Sequence, residues 1–167
     1  MSKIKNVPTV TDNELVNVRR AAIEQRGKWA AGFYLQAKEE GIDLEPIMRK
    51  AIHKIGVEGG RKEKEKLGEV TAGSYGRYFC TKALHETFEK KIEKDGEEHF
   101  ECSLNYCALL KAWQSMGCDD ETCALLCDIA MEGDRGIAEG LGLDFDLKSS
   151  LAKGDCCCHL VYDNVKK

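Results

Sequence analysis

Seven of the nine cysteines in this 167-residue chain fall after position 102, and these are the residues best able to do chemistry. A cysteine can pack as a small apolar side chain, ligate a metal or attack as a thiolate. Three segments carry six of them, all but Cys118. Cys107 opens a helix-like run that ends at Gly117. Cys123 and Cys127 are i,i+4 neighbours on a second run, and Asp134 lies seven residues further along the same stripe. At 1.5 Å per residue, Cys127 and Asp134 stand roughly 10 Å apart, too far for contact but able to flank one small ligand. The third segment is Leu151-Ala-Lys-Gly-Asp155-Cys-Cys-Cys158-His159-Leu-Val-Tyr162. Strand alternation puts Cys156, Cys158, Leu160 and Tyr162 on one face, and Cys157, His159 and Val161 on the other. A thiol beside His159 would suit a nucleophile with its base, or two metal ligands.

Zinc fits the spacing poorly. Cys102 to Cys107, Cys118 to Cys123 and Cys123 to Cys127 are not the two-residue steps of zinc knuckles, and the triple at 156–158 cannot all face one ion from a regular strand. The expectation is no metal and no other cofactor. Zinc held by residues from separate elements is the alternative.

The net charge of -4 gives no general attraction to nucleic acid or an anionic membrane. A hydrophobic fraction of 43% with 32% charged residues is that of a soluble globular domain. No stretch approaches the ~18 apolar residues of a membrane span. The residues from Met1 to Pro8 lack the apolar core of a signal peptide. These features predict a cytoplasmic protein acting on a small molecule, with no nucleic acid or membrane partner and with a homo-oligomer left open. Thiols stay reduced in that compartment, so the cysteines are not read as a disulfide framework.

Two prolines in the whole chain, Pro8 and Pro46, favour long helices. Thr11-Asp12 is a candidate cap for a first helix reaching about Glu40, and Leu15, Val18, Ala22, Ile23, Trp29 and Phe33 mark one apolar face of it. A second helix is expected from Leu44 to Ile55, interrupted by Gly56, Gly59 and Gly60. Arg61 to Lys66 reads as a solvated charge run and Gly68 to Gly76 as a loop. Tyr78 to Lys94 reads as a helix through Phe79, Ala83, Phe88 and Ile92, and Glu97 to Ser103 as a strand. Helices over 104–116 and 120–141 follow. Two final strands, one through Leu143, Phe145 and Leu147 and one after Asp155, are joined by a turn at Lys153-Gly154-Asp155. The predicted fold class is α+β, helices packed on a small antiparallel sheet. One domain is expected over 19–162, after a lead-in over 1–18 and before a tail over 163–167.

The order of these motifs resembles the L-2-amino-thiazoline-4-carboxylic acid hydrolase family. Glu24-Gln-Arg26-Gly-Lys-Trp29 is similar to its N-terminal Glu-x-Arg-x-x-Trp helix, and Ala51 to Gly59 to its second helix and glycine pair. Tyr106-Cys107 with Gly117, and Leu126-Cys127 with Asp134, look like its central cysteine segments. Leu151-x-x-Gly154-Asp155-x-x-Cys158 is similar to its terminal signature, although Leu160 stands where an aromatic is usual. That last pattern also resembles the four-vinyl-reductase-like domain, a small-molecule binding module.

The first resemblance implies hydrolysis of a cyclic C=N bond in a small carboxylate-bearing thiazoline or amidine. Such chemistry asks for a nucleophile, an acid or base, and a cation for the carboxylate. On that reading Cys127 and Cys107 are thiol candidates and Asp134 is the acid/base. Arg26 or Arg135 would hold the carboxylate and Glu24 the amidinium, with Cys158 and His159 completing the substrate side. The second resemblance implies a non-catalytic small-molecule or metal-binding sensor.

Overall fold

The computed structural model describes residues 2–82 and 84–166. Among the described residues the elements are α1 (Glu14–Glu39), α2 (Glu45–Leu67), α3 (Ala72–Thr81), β1 (Lys90–Lys94), β2 (His99–Leu104), α4 (Ala108–Ser115), α5 (Asp120–Ala130), α6 (Glu132–Leu141), β3 (Leu143–Ser149) and β4 (Cys158–Asn164). Short 3-10 turns cover His85–Phe88 and Leu151–Lys153. The fold is α+β, as expected. The four strands form one antiparallel sheet in the order β1-β2-β4-β3. None of the described helices is long and apolar enough to cross a membrane.

Period-2 alternation decides what the sheet buries. Phe100, Tyr162 and Phe145 pair across β2, β4 and β3, and Cys102, Leu160 and Leu147 form the next row. Cys158 shares this inner face and is buried, whereas His159 points outward, its Nε2 2.8 Å from Glu101 Oε2. On the outer face Glu101 also meets His99 Nε2 at 2.7 Å, and His99 Nδ1 meets Asp163 at 2.7 Å. The sheet therefore separates His159 from Cys158, and the expected sharing of one site by these two is corrected.

Helix α1 is capped by Asn13, one residue beyond the expected Thr11-Asp12, its side chain accepting from the Val16 N–H at 3.2 Å. The larger difference is its orientation. Leu15 (67% exposed), Val18 (62%), Trp29 (63%) and Phe33 (63%) face away from the core. At 100° per residue they lie opposite Val16, Arg20, Gly27 and Ala31, which are buried. Gly27 is small enough to seat α4, and its carbonyl accepts a bond from Trp113 Nε1 at 3.1 Å. Buried Arg20 stacks over Tyr106 with 4.4 Å to the ring centre. It donates to Thr87 O, Glu86 O and Val10 O, and pairs with Glu89 at 2.9 Å. This one guanidinium fixes the path of the chain into β1.

The glycines at 56 and 60 do not interrupt α2. They run through its buried seam and let α6 approach to backbone contact. A Cβ at Gly56 would fall under 3.0 Å from Gly133 O, and one at Gly60 under 3.0 Å from Ile137 O. Gly136 and Gly140 reciprocate against His53 O and Val57 O. The charge run after Arg61 continues the same helix.

Three other expectations are corrected. Residues 72–76, expected as loop, open helix α3: Thr71 and Ser74 form a capping box, and Gly76 sits where a Cβ would strike the Phe100 ring. Residues 78–94 are not one helix. Left-handed backbone at Leu84 (φ 60) and Glu89 (φ 49) breaks the chain, and Lys90 and Ile92 then enter an edge strand. Ala83, a position of that expected helix, lies outside the described residues. The run over 120–141 is two helices, because the chain turns at Met131 and places Asp134 in the first turn of α6.

Candidate functional site

Two groups of chemically capable side chains emerge. The first is a thiol cluster. Cys107 caps α4, Cys127 lies on α5 and Cys158 starts β4, close enough for their ionisations to influence one another. Cys127 Sγ is 3.4 Å from Ser150 Oγ, and the Leu151 N–H points to Cys158 Sγ at 3.4 Å. Asn6 binds the Cys107 backbone from both sides, donating to its carbonyl at 2.8 Å and accepting from its N–H at 2.9 Å. Burial pushes the Cys107 and Cys158 thiols up to about 12, and raises Cys127 as well. Deep burial of a thiol opposes the thiolate form. The three meet as protonated core side chains.

The second group sits between α2, α3, α6 and the inner face of the sheet. Asp134 is half-buried by accessible area, yet burial pushes its carboxyl up to about 6 against the pull of Lys90, Lys82 and Arg26. It accepts a bond from its own backbone N–H, and no other hydrogen-bond partner among the described residues reaches it. The N-terminal turn of α6 favours negative charge there.

Across from it, Lys90 occupies an inward position of the edge strand β1. Its Nζ donates to Phe79 O at 2.9 Å, a carbonyl in the last turn of α3, and lies 3.3 Å from the Phe79 ring centre. Burial, with Lys82 nearby, lowers its ammonium to about 8. Neither lysine forms an ion pair with Asp134, although both act on it. Cys80 and Cys102 lie beside Lys90 in mutual hydrogen-bond contact. That contact and the Lys90 charge ease Cys80 toward thiolate, and the same contact with burial holds Cys102 protonated.

Two tyrosines complete the wall. Tyr75 of α3 and Tyr162 of β4 are each 1% exposed, with ring centres 5.3 Å apart. Burial holds both hydroxyls protonated well above their ordinary range. Neither hydroxyl has a hydrogen-bond partner among the described residues. Glu63 of α2 acts on Tyr75 as Asp134 does; its Oε1 is 3.5 Å from Lys82 Nζ, and its buried Oε2 has no partner. Buried polar groups are nearly always satisfied, and among the described residues Glu63 Oε2 is the enclosed side-chain oxygen left without a partner.

Of the residues singled out from sequence, Asp134 belongs to this second group, and Arg26, exposed on α1, acts on it electrostatically. Cys107, Cys127 and Cys158 come together in the thiol cluster, and Asp134 acts on Cys127 from outside it. Glu24 is half-buried near Tyr106. Arg135 is taken up elsewhere, by Asp128 at 2.8 Å and Glu132 at 2.8 Å. Lys90, Tyr75, Tyr162, Glu63, Lys82 and Cys80 were missed. Tyr162 shares the parity of Cys158, and Lys90 that of Ile92, so both were findable once the strands were placed. Among the described residues no three His, Cys, Asp or Glu side chains are placed to share a metal ion.

Helices backed by a four-stranded antiparallel sheet define an α+β class that solved structures also contain. A trafficking protein particle complex subunit 3 from Naegleria fowleri, crystallised covalently bound to palmitic acid, superposes with a TM-score of 0.54 at 9% identity. The match covers 88% of this chain and 97% of that one, and it speaks to the fold alone. No curated protein matches the chain. Residues 22–162 match the L-2-amino-thiazoline-4-carboxylic acid hydrolase family, and the chain belongs to that family.

Proposed function

We infer that the protein hydrolyses a cyclic C–N bond of a small carboxylate-bearing amidine, and that the reaction takes place beside Asp134. The observation carrying this is the carboxyl of Asp134, raised to about 6 and facing a lysine lowered to about 8. Environments that push an acid and a base toward neutrality are typical of catalytic sites. Asp134 takes a proton from water as its oxygen attacks the amidine carbon and passes it to the ring nitrogen, turning the C=N bond into a single bond. Asp134 then takes the remaining hydroxyl proton as the oxygen becomes a carbonyl, and delivers it to the ring nitrogen as the C–N bond breaks. Both water protons thus end on the departing amine, and Asp134 returns to its carboxylate form. Lys90 and Lys82 hold the ring carboxylate, and the protonated Tyr75 hydroxyl donates to the developing charge.

The pH dependence tests this assignment. Asp134 must be ionised and Lys90 protonated, so kcat/KM should rise through about pH 6 and fall through about pH 8. The substrate for this measurement is 2-amino-2-thiazoline-4-carboxylate. A flat profile over that range would remove both residues from the mechanism.

The thiol cluster supports a companion prediction. Cys127 is held protonated beside Ser150, so Cys127→Ala should keep turnover within roughly 5-fold while costing about 1 kcal/mol of packing. A loss of 100-fold or more in a folded Cys127→Ala protein would return the attack to the thiol.

A further inference from the structure

Seven of the nine cysteines lie in the core or pack against it, and Cys156 and Cys157 do not. Cys156 is exposed and Cys157 half-buried. Strand alternation would send these adjacent side chains to opposite faces, but β4 begins only at Cys158. Residues 156 and 157 form a bend ahead of it. The bend is pinned: the Ser150 N–H donates to Asp155 Oδ2 at 2.8 Å, and Ser149 Oγ donates to the Cys157 carbonyl at 2.9 Å. The two thiols therefore share one side, with Cys156 Sγ 3.8 Å from Cys157 Sγ. That gap is far longer than a disulfide bond of about 2.05 Å. It matches a single ion bonded to both sulfurs at about 2.3 Å, the length of a zinc thiolate bond, with an angle of about 110° at the ion. Zinc itself asks for four ligands, and among the described residues no three His, Cys, Asp or Glu side chains are placed to share an ion. A thiolate pair suits softer ions of low coordination number. Burial, then Cys156 and Glu93, raise the Cys157 thiol, so its proton stays until an ion displaces it. Glu93, held by Ser103 Oγ at 2.7 Å, keeps a negative charge within reach of Cys157 that favours a cation there.

We propose that Cys156 and Cys157 form a two-thiolate site for a soft thiophilic ion, with Cu(I) favoured over trivalent arsenic by the Glu93 charge. When Cu(I) binds, two S–Cu bonds form and both thiol protons leave to solvent. With an arsenical R–As=O, two As–S bonds form, the As=O bond breaks, and both thiol protons leave with that oxygen as water. Arsenic stays trivalent, so no oxidant takes part. Two thiols on a pinned bend act as a chelate: once the first sulfur is attached, the second is already in place. Neither thiol belongs to the group around Asp134, so ion binding and hydrolysis are separate properties.

The test uses the reduced full chain in the absence of oxygen. Cu(I) is titrated in competition with the chelator bicinchoninate, and capture of phenylarsine oxide is read by intact mass. The wild-type protein should take up a single Cu(I), and separately a single phenylarsenic group that 2,3-dimercaptopropanol removes and excess monothiol does not. Cys156→Ser and Cys157→Ser should each weaken Cu(I) binding by about 100-fold or more, the low end of the gain from joining two sites. Cys156 is exposed, so its serine variant keeps the fold and suffices if Cys157→Ser does not. Cys118→Ser, whose thiol neighbours Cys123 instead, should bind as the wild type does. No Cu(I) bound against the chelator, binding unchanged in Cys156→Ser, or an equal loss in Cys118→Ser overturns the site. Capture of the arsenical without Cu(I) binding overturns the preference for the cation.

Discussion

Asp134→Asn should abolish turnover and at the same time stabilise the protein. A general base contributes on the order of 100- to 10,000-fold, so we expect a loss of roughly 1,000-fold in kcat. The stability gain follows from proton linkage. The Asp134 carboxyl ionises near 6 in the fold and near 3.8 in the unfolded chain, so the folded state binds the extra proton between those values. Folding stability therefore falls as pH rises from about 4 to about 6, and the full cost persists above that. Asparagine carries no such charge. At pH 8 the variant should be about 1–3 kcal/mol more stable, or roughly 3–8 °C in Tm, and the advantage should vanish near pH 4. Thermal melts at the two pH values, beside a turnover assay, measure both halves. A variant that is inactive but also less stable at pH 8 would mark Asp134 as structural.

The second large effect contrasts two adjacent glycines. A Cβ at Gly60 would collide with the backbone carbonyl of Ile137, which cannot rotate away, so α2 and α6 would have to separate along their whole seam. We expect Gly60→Ala to cost at least about 3 kcal/mol, beyond the common range for overpacking because backbone meets backbone. At Gly59 a Cβ meets only Ile137 Cγ1 at 3.9 Å, an ordinary contact. Gly59→Ala should stabilise the helix by up to about 1 kcal/mol. Denaturant unfolding of the pair reads the difference directly, and equal stabilities would mean that the seam is loose. Because Asp134 rides on the first turn of α6, Gly60→Ala should also lower activity before the protein unfolds.

Much of the fold could be read from the chain because its signals are local. Alternation at Phe100 and Cys102, at Leu143 to Leu147 and at Cys158 to Tyr162 located β2, β3 and β4, since a strand shows its two faces to neighbours in sequence. The length of α1, its stop at Gly41 (φ 72) and the family relation were legible for the same reason. The spacing set Asp134 on the stripe of Cys123 and Cys127, but the turn at Met131 moves it to a separate helix, which only the folded chain decides.

What tertiary structure decided was which surfaces meet. Periodicity showed that Leu15, Val18, Trp29 and Phe33 share a side of α1, but not that the opposite side, with Arg20 and Gly27, is the one α4 and Tyr106 cover. Gly56 and Gly60 are breakers in an isolated helix, and become contacts only when Gly136 and Gly140 arrive from 80 residues away. The chemistry of Lys90, Glu63 and Tyr75 was invisible for a similar reason. An exposed lysine or glutamate carries ordinary charge, and these acquire altered ionisation or unpaired oxygens only when distant elements close over them and exclude water.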